Sequence, residues 1–414
     1  MERTVCNNTK APARGEPDFM RDGMLGLVTG DALGVPVQFR SREEIASRQA
    51  RMVRLPGQEK IVNHPAGPVT GMEGFGTYNM PPGTWSDDSS MALATLESIR
   101  RLGTVDPDDI MGNFLRWEFE GAFTPFGYAF DEGNTCSNAI WRYRDERDWR
   151  TCGKTGDHAN GNGALMRILP VCIYYVERQK NVCTSDDEAI DGIHTATMLT
   201  HNHLRAKMAS GLYYFMVKSI IWARETALSE RAADAAPASA SGHANAAGPA
   251  SDTAPAEGLA AAAQACASGH VNAAGPAATA AVRESARHEE TVPALITLLQ
   301  RGLEEGFAYY RRDFRNLTEM ARYSRLYDLG RFRNVPENGI RSTGYVLDSL
   351  EAAVWCLITT GSLRDALLKA VNLGEDTDTV AAIAGGLAGL YYGYGAIPAE
   401  WREALQGKEV LEML

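Results

Sequence analysis

Wherever apolar residues recur regularly in this chain, they recur with the period of a helix. Met91, Leu93, Ala94, Leu96 and Ile99 fall at helical rather than alternating spacing, as do Leu295, Leu298, Leu299 and Leu303. "GYVLDSLEAAVWCLITTG" (Gly344 to Gly361) reads as a helix with a terminating glycine, and "SLRDALLKAVNLG" (Ser362 to Gly374) follows with a Ser cap and a Gly stop. "TVAAIAGGLAGLYYGYG" (Thr379 to Gly395) is so rich in Ala and Gly that neighbouring helices can approach it closely. Convincing strands are absent. The pattern predicts an all-α chain folded as a single compact multi-helix bundle.

Within the 414 residues two stretches do not fit that pattern. Residues 1–19 read as a flexible leader, with the domain proper spanning 20–414. Residues 231–287 collapse into Ala, Ser, Gly and Pro, a composition with too little apolar bulk to offset the entropy of ordering it. Inside it "ASGHANAAGPA" (Ala240 to Ala250) returns as "ASGHVNAAGPA" (Ala267 to Ala277), a duplicated short segment. It reads as a low-complexity insertion, disordered or loosely helical, interrupting one domain. The rival is a linker between two domains, and the motifs that fall on both sides of it favour the insertion.

A net charge of -11, without a Lys/Arg run, argues against nucleic acid and anionic membrane as partners. No apolar run approaches the roughly 18 residues of a spanning helix, and "MERTVCNNTKAPARGEPDFM" lacks the apolar core of a signal peptide, so a cytoplasmic location is expected. The cysteines (Cys6, Cys136, Cys152, Cys172, Cys183, Cys266, Cys356) are odd in number and lack CxxC spacing, which fits reduced thiols.

Chemistry concentrates in two acidic clusters. "GTWSDDSSMALA" sets Ser86, Asp87 and Asp88 immediately before an apolar helix. As interior helix positions the three would point about 100 degrees apart, but at a helix start the backbone is still turning and they can converge on one ligand. N-capping by Ser86 with acids in the first turn accounts for the same residues. "LGEDTDTVAAIAGG" repeats the arrangement, with Asp376 and Asp378 two apart and Thr379 following, again before an apolar helix. Carboxylate and hydroxyl oxygens without His or Cys suit hard cations such as Mg2+ or Mn2+. Four aspartates meeting without a cation would raise one another's pKa values.

Five blocks carry a family resemblance: "GLVTGDALGVPVQF" (Gly26 to Phe39), "GTWSDDSSMALA", "GNGALMRILP" (Gly161 to Pro170), "THNHLRAKMASGLYY" (Thr200 to Tyr214) and "NLGEDTDTVAAIAGGLAGLYYGYGAIPAEW" (Asn372 to Trp401). In that order they resemble the ADP-ribosylglycohydrolase family, typified by the dinitrogenase-reductase-activating glycohydrolase. The resemblance spans about Met20 to Trp401, apart from the low-complexity insertion. It implies an all-α fold with a cleft for two Mg2+ or Mn2+ ions and ADP-ribose as the recognised group. The metal ligands carried over are Ser86, Asp87, Asp88, Asp376, Asp378 and Thr379; Ser86 stands where the family usually has Thr. Asp87 or Asp378 would orient the attacking water or take its proton.

The expected reaction removes ADP-ribose from a modified protein side chain, ADP-ribosyl-arginine foremost, by water attack at the N-glycosidic carbon. A monomer is expected. Two alternatives stand beside it: a regulatory protein that binds ADP-ribose with weakened catalysis, and a hydrolase of an O-linked ADP-ribose compound. Gln38 favours the first, because many members of the family carry Glu there and an amide cannot exchange a proton. Asp131 in "YAFDEGNT" is a candidate substitute acid, with a solvated loop residue as the plain alternative.

For the substrate, Asn162 and Gly163 resemble part of the ADP-ribose cradle, since backbone N–H groups at a helix start suit a diphosphate. As a bare motif the segment is a turn. Arg167 would pair with phosphate or form an internal salt bridge. His201 fits a family position and would contact the substrate ribose or simply pack, whereas His203 reads as structural or exposed. Tyr394 would stack on adenine or belong to the core.

Overall fold

Asp18 accepts a hydrogen bond from the Arg21 amide, and with that cap the chain enters the first of its described helices at Phe19. The structure, a computed structural model, describes residues 17–54, 61–182, 184–235 and 276–414. Three helices carry the site: α1 (Phe19–Gly34), α2 (Asp87–Leu102) and α3 (Thr377–Tyr392). The longest of the surrounding helices are Leu204–Ala235 and Pro276–Arg311.

α3 is buried without a break from Thr377 to Leu390, as a helix apolar all round must be. Its Ala and Gly residues admit α1 at backbone contact. A Cβ added at Gly26 would lie 2.1 Å from the Gly385 carbonyl oxygen, and one at Gly30 would lie 2.0 Å from that of Ala381. Gly34 faces the Asp378 Cα at 2.3 Å in the same sense, and Gly389 faces the Asp22 carbonyl oxygen at 2.1 Å. Gly26, Gly30 and Gly34 recur every fourth residue and so line one face of α1. At the end of this glycine seam the Thr377 hydroxyl donates to the Gly34 carbonyl at 2.8 Å. Another core helix, Val346–Ile358, is buried at all but one of its positions.

The fold is all-α, as the periodicity predicts, with one exception among the described residues. Arg51–Arg54 pairs antiparallel with Ile61–His64 in the register Arg51 to His64. Four residues per strand are too few to display a period, which is why the hairpin leaves no trace in the sequence pattern.

The expected helix of Gly344 to Gly361 runs from Val346 to Ile358 with Thr359 as its C-cap, so it stops before the glycine. Ser362 does cap the following helix, accepting from the Asp365 amide at 3.0 Å.

The leader falls outside the described residues as far as residue 16, and so does 236–275 of the low-complexity stretch. The two helices that border that stretch pack on each other, with the Ser219 hydroxyl donating to the Leu298 carbonyl at 2.8 Å. Cys136, Cys152, Cys172 and Cys356 are buried and unpaired. Among the described residues no helix is long and apolar enough to cross a membrane.

Candidate metal centre

The N-termini of α2 and α3 meet the C-terminal end of α1, and neither is capped in the usual way. Ser86 and Asp376 occupy the two N-cap positions, yet neither side chain accepts from its own helix. The Ser86 hydroxyl lies instead 2.9 Å from Asp31 Oδ1 and 3.2 Å from Asp88 Oδ2. Asp376 Oδ2 accepts from the Asn162 amide at 2.6 Å. Capping therefore does not explain these residues; their side chains turn inward.

Asp31 is the hub. Its carboxylate accepts from the Ser86 N–H at 2.9 and 3.0 Å, the Ser89 N–H at 3.0 Å and the Ser89 hydroxyl at 2.6 Å. Carboxylate oxygens of Asp31, Asp88 and Asp378 all lie within 4.8 Å of one another, and all three residues are buried. Asp88 Oδ1 and Asp378 Oδ2 are buried with no protein partner. Oxygens held about 2.0–2.6 Å from a hard cation lie no more than about 4–5 Å apart, so the triad spans one coordination sphere. The donor set fits a hard divalent cation. Thr379 Oγ1, 3.4 Å from Asp88 Oδ2, extends the oxygen surface.

Electrostatics point the same way. Burial pushes the Asp31 carboxyl up to about 6. Burial first, then neighbouring carboxylates, holds Asp87, Asp88 and Asp378 well above the usual aspartate range. The α2 and α3 N-termini contribute only partial positive charge. A cation would displace the protons that these groups otherwise retain.

Asp131 is not a solvated loop residue. It accepts a hydrogen bond from the Tyr78 hydroxyl, and its Oδ2 is buried without a partner. Burial raises its pKa to about 6, and the nearby side chains of Asp378, Tyr78 and Gln38 work against that rise. Gln38 is buried, and its Oε1 has no partner. Amide and acid thus stand side by side where the family pattern has one carboxylate. Tyr78 is flanked by Phe39 and Phe130, ring centroids 6.4 and 5.2 Å away.

The remaining candidates separate. Asn162 is spent on Asp376 and on the Ser349 hydroxyl, 2.9 Å away, and its own N–H donates to the Gly344 carbonyl. Gly163 follows it in a turn, and the next helix starts only at Leu169, so the expected helix start directly after Gly163 is absent. His201 lies against this turn: a Cβ on Gly163 would sit 3.1 Å from its Cε1. His203 Nδ1 accepts from the Arg205 amide. Arg167 is fully buried and forms no salt bridge among the described residues; it donates to Thr200 Oγ1 and the Ala196 carbonyl.

Tyr394 lies elsewhere. It follows the C-terminus of α3, while Asp378 lies at the N-terminus, about 20 Å away at 1.5 Å rise per residue. Its ring is covered by Arg21 at 4.4 Å and Arg402 at 5.5 Å, so it is not part of this cluster.

Asp31 is the residue that motif reading passed over, because it belongs to neither acidic cluster. Its signal is a lone acid in the otherwise apolar "GLVTGDALG", bracketed by the glycines of the seam.

The chain belongs to the ADP-ribosylglycohydrolase family, whose sequence model matches residues 14–290 and 246–414, and it is a glycosidic-bond hydrolase. Among its relatives is the ADP-ribosylarginine hydrolase Tri1 of Serratia proteamaculans (strain 568), 26% identical over 399 residues, covering 96% of this chain and 78% of that one. The ADP-ribosyl-[dinitrogen reductase] glycohydrolase of Rhodospirillum rubrum is 25% identical over 384 residues, covering 93% and 89%. A solved ADP-ribosylglycohydrolase-related protein complex shares the fold at TM-score 0.56 and 24% identity, covering 95% of this chain and 94% of that one.

Proposed function

We propose that this protein removes ADP-ribose from modified arginine side chains by hydrolysis at the N-glycosidic carbon, using two Mg2+ or Mn2+ ions. The observation that carries the reading is the buried Asp31, Asp88 and Asp378 triad with two unpartnered carboxylate oxygens, in a family of ADP-ribosylglycohydrolases. The relative named for ADP-ribosyl-arginine supports the choice of linkage.

Asp31, Asp88 and Asp378 would hold the ions, with Ser86, Asp87, Asp376 and Thr379 completing the oxygen surface. Bound there, the cations supply Lewis acidity toward the ribose and lower the pKa of the attacking water. Asp87 or Asp378 orients that water and takes its proton. Asn162 and Ser349 fix Asp376 in place. Asp131 delivers a proton to the leaving guanidine, the role Gln38 cannot fill; Tyr78 and Gln38 aim it. Gly163 and His201 bound the space assigned to ADP-ribose. The location is cytoplasmic and the chain works as a monomer.

The test is to incubate a protein carrying radiolabelled ADP-ribosyl-arginine with this protein and Mn2+ or Mg2+, and to follow free ADP-ribose. Release that vanishes with EDTA and with Asp87→Asn is the expected result. Gln38 favours one competing reading, a regulatory ADP-ribose-binding protein, and tight binding of ADP-ribose with no release from any linkage would establish it instead. Release from ADP-ribosyl-serine but not from the arginine conjugate would move the assignment to an O-linked substrate.

A further inference from the structure

His201 meets the site through a chain of hydrogen bonds that begins at a buried cation. Arg167 is 0% exposed, and its guanidinium lies over the Phe114 ring at 4.9 Å. Its Nη2 donates to Thr200 Oγ1 at 2.8 Å, while Nη1 and Nη2 both donate to the Ala196 carbonyl at 3.2 Å. On its other side Thr200 Oγ1 lies 2.8 Å from His201 Nδ1. The neighbouring backbone is pinned, since Lys154 N–H donates to the Thr200 carbonyl and Asn202 N–H to that of Lys154.

A guanidinium only donates, and a hydroxyl has a single proton to give. With Thr200 Oγ1 accepting from Arg167, that proton is free for another acceptor. Two stand near: His201 Nδ1, 2.8 Å away, and the Cys136 thiol, whose own hydrogen bond goes to the Gly163 carbonyl. A thiol sulfur is a weak acceptor and an imidazole nitrogen a strong one, so the proton goes to Nδ1. Nδ1 then carries a lone pair, and the ring proton resides on Nε2. The edge bearing Nε2 faces Gly161 and Gly163, where an added Cβ would come within 3.2 Å of Nε2 and 3.1 Å of Cε1 respectively. Those two glycines flank Asn162, which holds Asp376.

We infer that Arg167 and Thr200 are positioning residues that fix His201 as its Nε2–H tautomer, so that His201 meets ADP-ribose as a hydrogen-bond donor and never as an acceptor. The ligand half of this inference rests on the function proposed above; the tautomer half stands without it. A donor suits the acceptor-rich ribose and diphosphate oxygens of such a ligand.

Both halves are read in the full-length protein. Long-range proton–nitrogen NMR on histidine-labelled protein reports the tautomer directly, with His201→Gln identifying the resonance among the 8 histidines. Titration with ADP-ribose in a calorimeter then compares wild type, Thr200→Val and Thr200→Ser. The expected result is Nε2–H in the wild type, affinity about tenfold weaker in Thr200→Val, and near-native affinity in Thr200→Ser, which keeps the hydroxyl. An Nδ1–H pattern overturns the inference, because Nδ1 would then donate to Thr200 Oγ1. Undiminished ADP-ribose binding by a folded Thr200→Val overturns the donor role. Failure of wild type to bind ADP-ribose brings down the functional reading and the donor role together, while the NMR pattern still decides the relay.

Discussion

Replacing Gly30 by Ala tests whether the glycine seam or the helices alone build the site. In an open helix interior this exchange stabilises by about 1 kcal/mol, because Gly is the poorer helix former. Here the new Cβ would lie 2.0 Å from the Ala381 carbonyl oxygen and 2.9 Å from the Ala382 nitrogen, both backbone atoms that cannot swing aside. Ordinary contacts are about 3.5–4.0 Å, so α1 and α3 must part by more than about 1 Å. Overpacking of this kind costs about 1–3 kcal/mol or more, which outweighs the propensity gain.

The larger effect falls on the neighbouring residue. Asp31 moves with α1 away from Asp378, and a coordination shell tolerates only about 0.2 Å. Thermal unfolding of wild type and Gly30→Ala, in EDTA and in saturating Mn2+, separates the two effects. Wild type gains about 2.7 kcal/mol at a cation concentration one hundred times Kd. Gly30→Ala should melt a few degrees lower in EDTA and gain little from Mn2+. Gly112→Ala is the control: nothing lies within 4 Å of its new Cβ, so it should be as stable as wild type or more so, and respond fully to Mn2+. A Gly30→Ala protein as stable as wild type with an intact Mn2+ response would refute the claim that the seam sets the ligand spacing.

Asp131→Asn should lower kcat by about 10²–10⁴ while changing ADP-ribose affinity less than about tenfold, as expected for a lost general acid; retention of a tenth of wild-type kcat would remove Asp131 from that role. Asp31 and Asp131 are raised by burial from 3.8 to about 6, so in metal-free protein their contribution to stability is full below pH 4 and is lost as pH rises through about 6. Cation binding expels the retained protons, so the Mn2+-induced rise in Tm should grow between pH 5 and 7, and a flat difference across that window would contradict the assignment. Tyr394→Ala should leave KM for the ADP-ribosylated substrate within about twofold of wild type, since the ring lies between Arg21 and Arg402; a large KM increase would put the adenine there after all.

What could be read from the sequence was whatever is local. The helical period marked α2 and α3, the Ser362 cap marked its helix, and the two acidic clusters announced themselves by standing at helix starts. Asp31 was out of reach because its role depends on a crossing, not a spacing: a single acid in an apolar helix acquires meaning only when Gly30 and Gly34 press that helix onto α3. Tyr394 stands apart from the carboxylates for the opposite reason. It shares a motif block with Asp378, yet the sixteen residues of α3 carry the two apart. Gln38 and Asp131 lie in separate loops, and only the fold sets the amide beside the acid. The hairpin at Arg51–Arg54 was too short to have a period at all.

The seam also orders events in time. The Thr377 hydroxyl and the Gly34 carbonyl that close it are 343 residues apart in sequence, and contacts so distant form only after a large loss of chain entropy. During synthesis α1 emerges long before α3, and its glycine face is completed only once Thr377–Tyr392 has been made. Asp31 and Asp88 are made early, but the third carboxylate of the triad arrives with Asp378. Cation binding by this triad therefore waits for α3: an ion held there certifies that α1, α2 and α3 have found one another.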